Sequence, residues 1–175
     1  VQVGLMYNPQ LRPGLSASKV LEEELVLVAS WPATLDEIPE NYVFVDWGPE
    51  FLHAHALELP DLTNPGLTLS LGAMAADYIV NRRAAAYLPA RYIKRYLDEG
   101  RLHLVPDAPM FPYPIWSVWR DDLDEEIRTT AEQTLTTVQS QMDELQNAVL
   151  DDLNDISSGD SIEVLGHSDE FRNHT

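Results

Sequence analysis

The clearest periodic signal lies between Leu67 and Pro89, in LTLSLGAMAADYIVNRRAAAYLP. Leu67 and Leu69 alternate with Thr68 and Ser70, the two-residue period of a pleated strand. From Ala73 to Val80 the run is helical and apolar apart from Asp77. Ser70 and Gly72 stand at its start, and a serine hydroxyl there can bond a free backbone N–H. Asn81-Arg82-Arg83 give a basic last turn that suits the helix dipole. Ala84 to Leu88 reads as a short apolar strand, closed by Pro89. Such a unit brings a helix N-terminus to the carboxyl edge of a sheet, where open α/β sheets bind ligands. On pattern alone, an ordinary βαβ crossover without a ligand accounts for it better.

The flanking segments extend this alternation. Val1 to Tyr7 reads as a strand ended by Asn8-Pro9, and its apolar Val3, Leu5 and Met6 predict an interior parallel strand. That implies sheet neighbours encoded upstream. Leu15 to Leu21 predicts a short strand. After Glu22-Glu23-Glu24 comes a continuous apolar strand, Leu25 to Ala29, broken by Ser30-Trp31-Pro32. Ala33 to Asn41 is a polar linker suited to a crossover between lobes. Tyr42 to Val45 is a strand, Asp46-Trp47-Gly48-Pro49 a turn, and Glu50 to Leu59 a helix with proline near its first position. Ala90 to Leu97 predicts a helix stopped by Asp98-Glu99-Gly100, and Leu102 to Val105 a strand. Asp107 to Pro114 is a proline-rich link before the strand Ile115 to Trp119.

The last helix is long. Ile127, Ala131, Leu135, Val138, Met142, Leu145 and Val149 form one apolar stripe reaching toward Leu153. Through Val138 the stripe is expected to pack on its own lobe; beyond it, the spacing could serve a partner helix. Ile156 to Thr175 has the composition of a disordered tail.

Composition narrows the picture. With 175 residues and 45% hydrophobic content, one domain or two small lobes with a sizeable core are expected. Cysteine is absent, so there is no disulfide framework, thiolate metal site or cysteine nucleophile. No apolar run reaches membrane-spanning length. The net charge of −18, from 11 basic and 29 acidic residues, repels phosphate backbones.

Candidate chemistry is sparse. His53 and His55 are two apart on a helix, point away from each other, and read as surface histidines. Asp151, Asp152, Asp155 and Asp160 fail the calcium-loop pattern and read as a solvated acidic stretch. Arg82, Arg83, Arg91, Lys94, Arg95 and Arg101 cluster with Tyr87, Tyr92 and Tyr96, but the global charge favours a helix face paired with local acids. No P-loop, Gly-x-Gly-x-x-Gly or Gly-x-Ser-x-Gly motif is present. No enzyme, cofactor or metal site is therefore expected. Four polar or aromatic turns follow strands or links: Tyr7-Asn8, Asp46-Trp47-Gly48, Ser70-Leu71-Gly72 and Pro112-Tyr113-Pro114. In a two-lobed α/β protein they would converge on a cleft with aromatic walls, a typical small-molecule site.

The order of segments resembles the C-terminal effector-binding domain of LysR-type transcriptional regulators. The resemblance rests on VQVGLMY, KVLEEELVLVAS, YVFVDWGPEF, LSLGAMAADYIV, AAAYLPARYIKRYLDEGRLHLVP and PYPIWSVWR. It covers about residues 1 to 138 and is strongest over 69–105.

The resemblance implies a type II periplasmic-binding-protein-like α/β fold of two Rossmann-like lobes with mixed, mainly parallel sheets. It implies that the first lobe, built from 1–31 and 115–138, is incomplete in an N-terminally truncated chain. The second lobe would span 32–114, and 139–175 would be an acidic helical extension and tail. It also implies a small-molecule effector between the lobes, held by Tyr7, Asn8, Asp46, Trp47, Gly48, Ser70, Leu71, Gly72 and Tyr113. Further implications are a homodimer or tetramer, cytoplasmic residence, no membrane contact, and DNA binding only through an N-terminal winged helix-turn-helix outside this chain. A solute-binding protein of the same fold serving transport is the alternative.

Overall fold

The structure is a computed structural model that describes residues 2–166, with side chains described over 2–159. Its elements run β1 (Val3–Tyr7), β2 (Leu15–Ala29), β3 (Val43–Val45), α1 (Pro49–Glu58), β4 (Leu67–Leu69), α2 (Ala75–Val80), β5 (Ala85–Pro89), α3 (Ala90–Asp98), β6 (His103–Leu104), β7 (Phe111–Arg120) and α4 (Glu125–Gly166).

The backbone of the fold is a pair of long strands. β2 and β7 run antiparallel from Leu15↔Arg120 to Leu25↔Phe111, with an irregularity between Lys19 and Leu21. β1 joins the outer side of β7, and β5 and β6 join the far end of β2. All these ladders are antiparallel. Among the described residues, parallel pairing is confined to β3 with β4 and to one bridge, Tyr42↔Ala85. The expectation of mainly parallel sheets is therefore corrected. Parallel neighbours need a crossover helix between them, and α1 supplies one between β3 and β4. The two long strands instead return alongside each other and contribute most of the pairing.

Three sequence readings change with this topology. First, β1 is an antiparallel strand paired only with β7 among the described residues, and Leu5, Met6 and Tyr7 are 57%, 42% and 40% exposed. Its apolar residues do not report an interior parallel strand.

Second, Glu22-Glu23-Glu24 does not interrupt β2. Alternation carries Glu22 outward, while Glu23 is fully buried and Glu24 half-buried.

Third, the second half of the proline-rich link, 111–114, is the start of β7. Pro112 and Pro114 are two residues apart, so the N–H groups they lack fall on one edge, and β1 pairs with β7 only from Ile115 onward.

The strand–helix–strand reading of 67–89 holds, with a 3-10 turn at Gly72–Met74 ahead of a six-residue α2. Ser70 does not cap it: that turn begins at Leu71 with no side-chain cap.

α4 reverses the expectation for its stripe. Val149 is fully buried and Leu153 nearly so, both within the main core, whereas Ile127 is 44% exposed. The helix thus packs on this chain beyond Val138, against α3 and β2. It also continues through Ile156 to Gly166, where a disordered tail was expected; 167–175 lie outside the described residues.

Within a mostly aliphatic core lies an aromatic cluster. Phe51, His55, Tyr87 and Phe111 meet with ring centroids 5.0 to 6.2 Å apart, mostly edge to face. Edge contacts suit aromatic quadrupoles better than face-to-face sandwiches.

Candidate functional site

Four segments meet at a cavity of about 650 Å³: the end of β1, Ala17 of β2, the turn between β3 and α1, and the first part of β7. This volume lies in the ordinary range for small-molecule sites, roughly 300–1,000 Å³.

The β3–α1 turn is shaped by two backbone features. Asp46 donates its N–H to the Leu69 carbonyl at 2.9 Å and accepts the Gly48 N–H on Oδ1 at 2.9 Å. Gly48 has φ +102°, a conformation that side chains disfavour, and it leads straight into Pro49 at the first position of α1. Between them Trp47 turns inward. Its indole N–H donates to the Tyr87 carbonyl at 2.9 Å, which fixes the ring at the cavity wall.

Trp47 meets Tyr113 at 5.2 Å and 69°, and Tyr113 stacks on Tyr7 at 4.1 Å and 18°. Asn8 follows Tyr7 with φ +47°, a left-handed position that asparagine tolerates, and also lines the cavity. Tyr7, Asn8, Asp46, Trp47, Gly48 and Tyr113 therefore come together as expected.

Ser70, Leu71 and Gly72 do not join them. None lines the cavity, and Ser70 and Leu71 are exposed. Gly72 lies beside Trp47, where an added Cβ would stand 3.8 Å from Trp47 Cζ3. The 3-10 turn displaces the start of α2, and its six residues are too short for a dipole-based anion site.

Next to the cavity lies a charged group that sequence reading missed. The Tyr7 hydroxyl donates to Glu23 Oε2 at 3.1 Å, and Arg91 Nε stands 2.6 Å from Glu23 Oε1. That ion pair is off the N–H axis, so it is a charge contact rather than a hydrogen bond. Burial pushes the Glu23 carboxyl upward and outweighs the lowering influence of Arg91 and the Tyr7 hydroxyl. Burial, reinforced by the Glu23 charge, pushes the Tyr7 hydroxyl up to about 12. Tyr113 is raised for the same reasons, burial first. The available signal was strand alternation through Glu22 to Glu24, which turns Glu23 to the buried side.

His55, expected at the surface, is 1% exposed and shares a 2.8 Å hydrogen bond with the Tyr42 hydroxyl. Burial pushes its imidazole below the usual range. The basic segment behaves largely as anticipated: Lys94 pairs with Asp98 and Arg101 with Glu99, while Arg82 and Arg83 lie over Tyr78 and Trp31. No cluster of three or more metal-ligating side chains occurs among the described residues. No helix there is long and apolar enough to cross a membrane.

Comparison with known proteins gives consistent matches. A family model described as the LysR substrate binding domain matches residues 1–139. A curated relative, the HTH-type transcriptional regulator HdfR of Escherichia coli, is 27% identical over 85 residues, covering 49% of this chain and 29% of its own. The HdfR of Salmonella schwarzengrund is 28% identical over 86 residues, covering 49% of this chain and 30% of its own.

Among solved structures, the apo regulatory domain of HypT from Salmonella typhimurium superposes with a TM-score of 0.63 at 14% identity, covering 80% of this chain and 73% of that one. The regulatory domain of MetR from N. meningitidis gives a TM-score of 0.56 at 15% identity, covering 78% and 69%. At these identities the structural likeness concerns the fold, which is that of LysR regulatory domains.

Proposed function

The chain belongs to the LysR substrate-binding domain family, and from that premise we propose that it is the effector-sensing part of a bacterial transcriptional regulator. The family is one of transcriptional regulators rather than enzymes, and the curated relatives favour regulation over solute transport. Because the match covers under a third of those relatives, the activity of the whole protein is part of this proposal. In this reading a winged helix-turn-helix outside the chain contacts DNA, the protein works as a homodimer or tetramer, and it acts in the cytoplasm.

One observation carries the reading. Tyr7, Trp47 and Tyr113, from three segments, form one continuous aromatic wall around a ligand-sized cavity. A small molecule there would touch β1, the β3–α1 turn and β7 at once. It would favour whichever arrangement of these elements holds it best, a population shift that a linked DNA-binding head could register. Residues 1–31 with 115–138 and residues 32–114 would be the two lobes that move.

A library of small molecules screened by thermal unfolding tests this. Ligand at about a hundred times its Kd stabilises the fold by about 2.7 kcal/mol. Hits should raise the melting temperature of the wild-type chain and lose that effect in Tyr113→Ala. Hits that stabilise both equally would locate binding elsewhere and sink the reading.

A further inference from the structure

We propose that the ligand class of this cavity is a small organic cation, an inference that rests on the cavity being the effector site. Five aromatic rings line it: Tyr7, Trp47, Phe51, Tyr113 and Trp116. Among the described residues, the charged side chains lining it are Asp46 and Glu50, and no Lys, Arg or His does so. Aromatic rings attract cations through their electron-rich faces, and the attraction grows as water is excluded. Two carboxylates at the same wall add charge of the matching sign.

The main opposing influence is the N-terminus of α1, since Pro49, Glu50 and Phe51 also line the cavity. A helix N-terminus carries about half a positive charge. That is outweighed here: Asp46 already accepts the Gly48 N–H, and Glu50 sits within the first turn. The nearby guanidinium of Arg91 does not reverse the sign, because it is held against Glu23. At longer range, a net charge of −18 draws cations toward the protein and repels anions.

Three probes of one shape and three charges decide the matter: tetramethylammonium, tert-butanol and pivalate. Each is titrated into the full 175-residue chain while the indole resonances of Trp47 and Trp116 are followed by NMR. Tetramethylammonium is expected to bind saturably, at least about tenfold more tightly than either of the others. The double variant Asp46→Asn with Glu50→Gln removes both charges, and its asparagine side chain still offers an oxygen to the Gly48 N–H. It should weaken tetramethylammonium about fivefold or more and leave tert-butanol unchanged.

The cation assignment is overturned if pivalate or tert-butanol binds as well as tetramethylammonium. It is also overturned if the double variant binds the cation unchanged, or if the cation gives no saturable shift. Tyr113→Ala separates this failure from failure of the site. If that variant abolishes binding of pivalate or tert-butanol, the cavity stands and only the ligand class falls. If whichever probe binds does so equally well in Tyr113→Ala, the cavity reading falls too.

Discussion

Tyr7 lies face to face with Tyr113, ring centroids 4.1 Å apart, while its hydroxyl reaches behind to Glu23. The ring at the cavity wall is thereby tied to a carboxylate that is fully buried on β2. Tyr7→Phe keeps the stack and removes only the hydroxyl. Glu23 then retains Arg91 alone. A buried charged group that loses a hydrogen bond costs about 1–3 kcal/mol, and because Tyr7 is 40% exposed the low end of that range is expected. Urea unfolding measures it. Tyr7→Leu should cost about 0.5–1.5 kcal/mol more, through loss of the stacked pair. Equal midpoints for wild type and Tyr7→Phe would mean that water replaces the hydroxyl without loss.

Much of this arrangement could be read from sequence because it depends on local rules. Pro49 at the start of α1, the stop at Gly100 and the strand–helix–strand of 67–89 all follow from propensity and capping chemistry, and each has its counterpart in the structure. Local rules could at most turn Glu23 to the buried side, and could not assign its partner or the burial of His55. A carboxylate and an imidazole read as surface groups until a distant partner is known, and their partners lie at Arg91 and Tyr42. The failure at Ser70 has a different cause. A serine before an apolar run is a capping signal, but here a 3-10 turn intervenes and the hydroxyl is left at the surface. Three of the four turns expected to converge do meet, while the turn at Ser70 to Gly72 does not, and the stacking that joins the three was not legible in the sequence.

His55 gives a pH dependence with a definite sign. Its imidazole is buried, bonded to the Tyr42 hydroxyl, and pushed below the ordinary value of 6.5. Between its folded pKa and 6.5 the unfolded chain binds a proton there that the folded chain does not. This contribution to stability is fully present above pH 6.5 and is lost as the pH falls through the interval below it. Denaturant unfolding at a series of pH values should show the wild type losing stability relative to His55→Gln as the solution is acidified below neutrality. A difference between the two proteins that stays constant with pH would mean that the folded and unfolded histidine titrate alike.

Gln146 on α4 makes the most exposed prediction about the long helix. Its side-chain oxygen accepts the Glu24 N–H at 2.9 Å, and its side-chain NH₂ donates to the Glu22 carbonyl at 2.8 Å. These backbone groups sit where β2 lacks a second strand: β7 opposes Glu22 and Glu24 with Pro114 and Pro112, and β5 begins only at Leu25. One amide therefore substitutes for a neighbouring strand on the side of β2 away from β7. Gln146→Leu leaves a donor and an acceptor without partners and should cost about 2–4 kcal/mol, taking about 1–2 for each group. Leu153→Ala, one turn beyond the buried Val149, should cost about 2–3 kcal/mol through lost burial and a cavity. Leu145→Ala, at a position 47% exposed, should fall within about 0.5 kcal/mol of wild type. Urea midpoints for the three variants read this out directly. Equal, small effects at all three would mean that the second half of α4 does not dock on β2 and α3 in solution. The gradation expected here requires that it does.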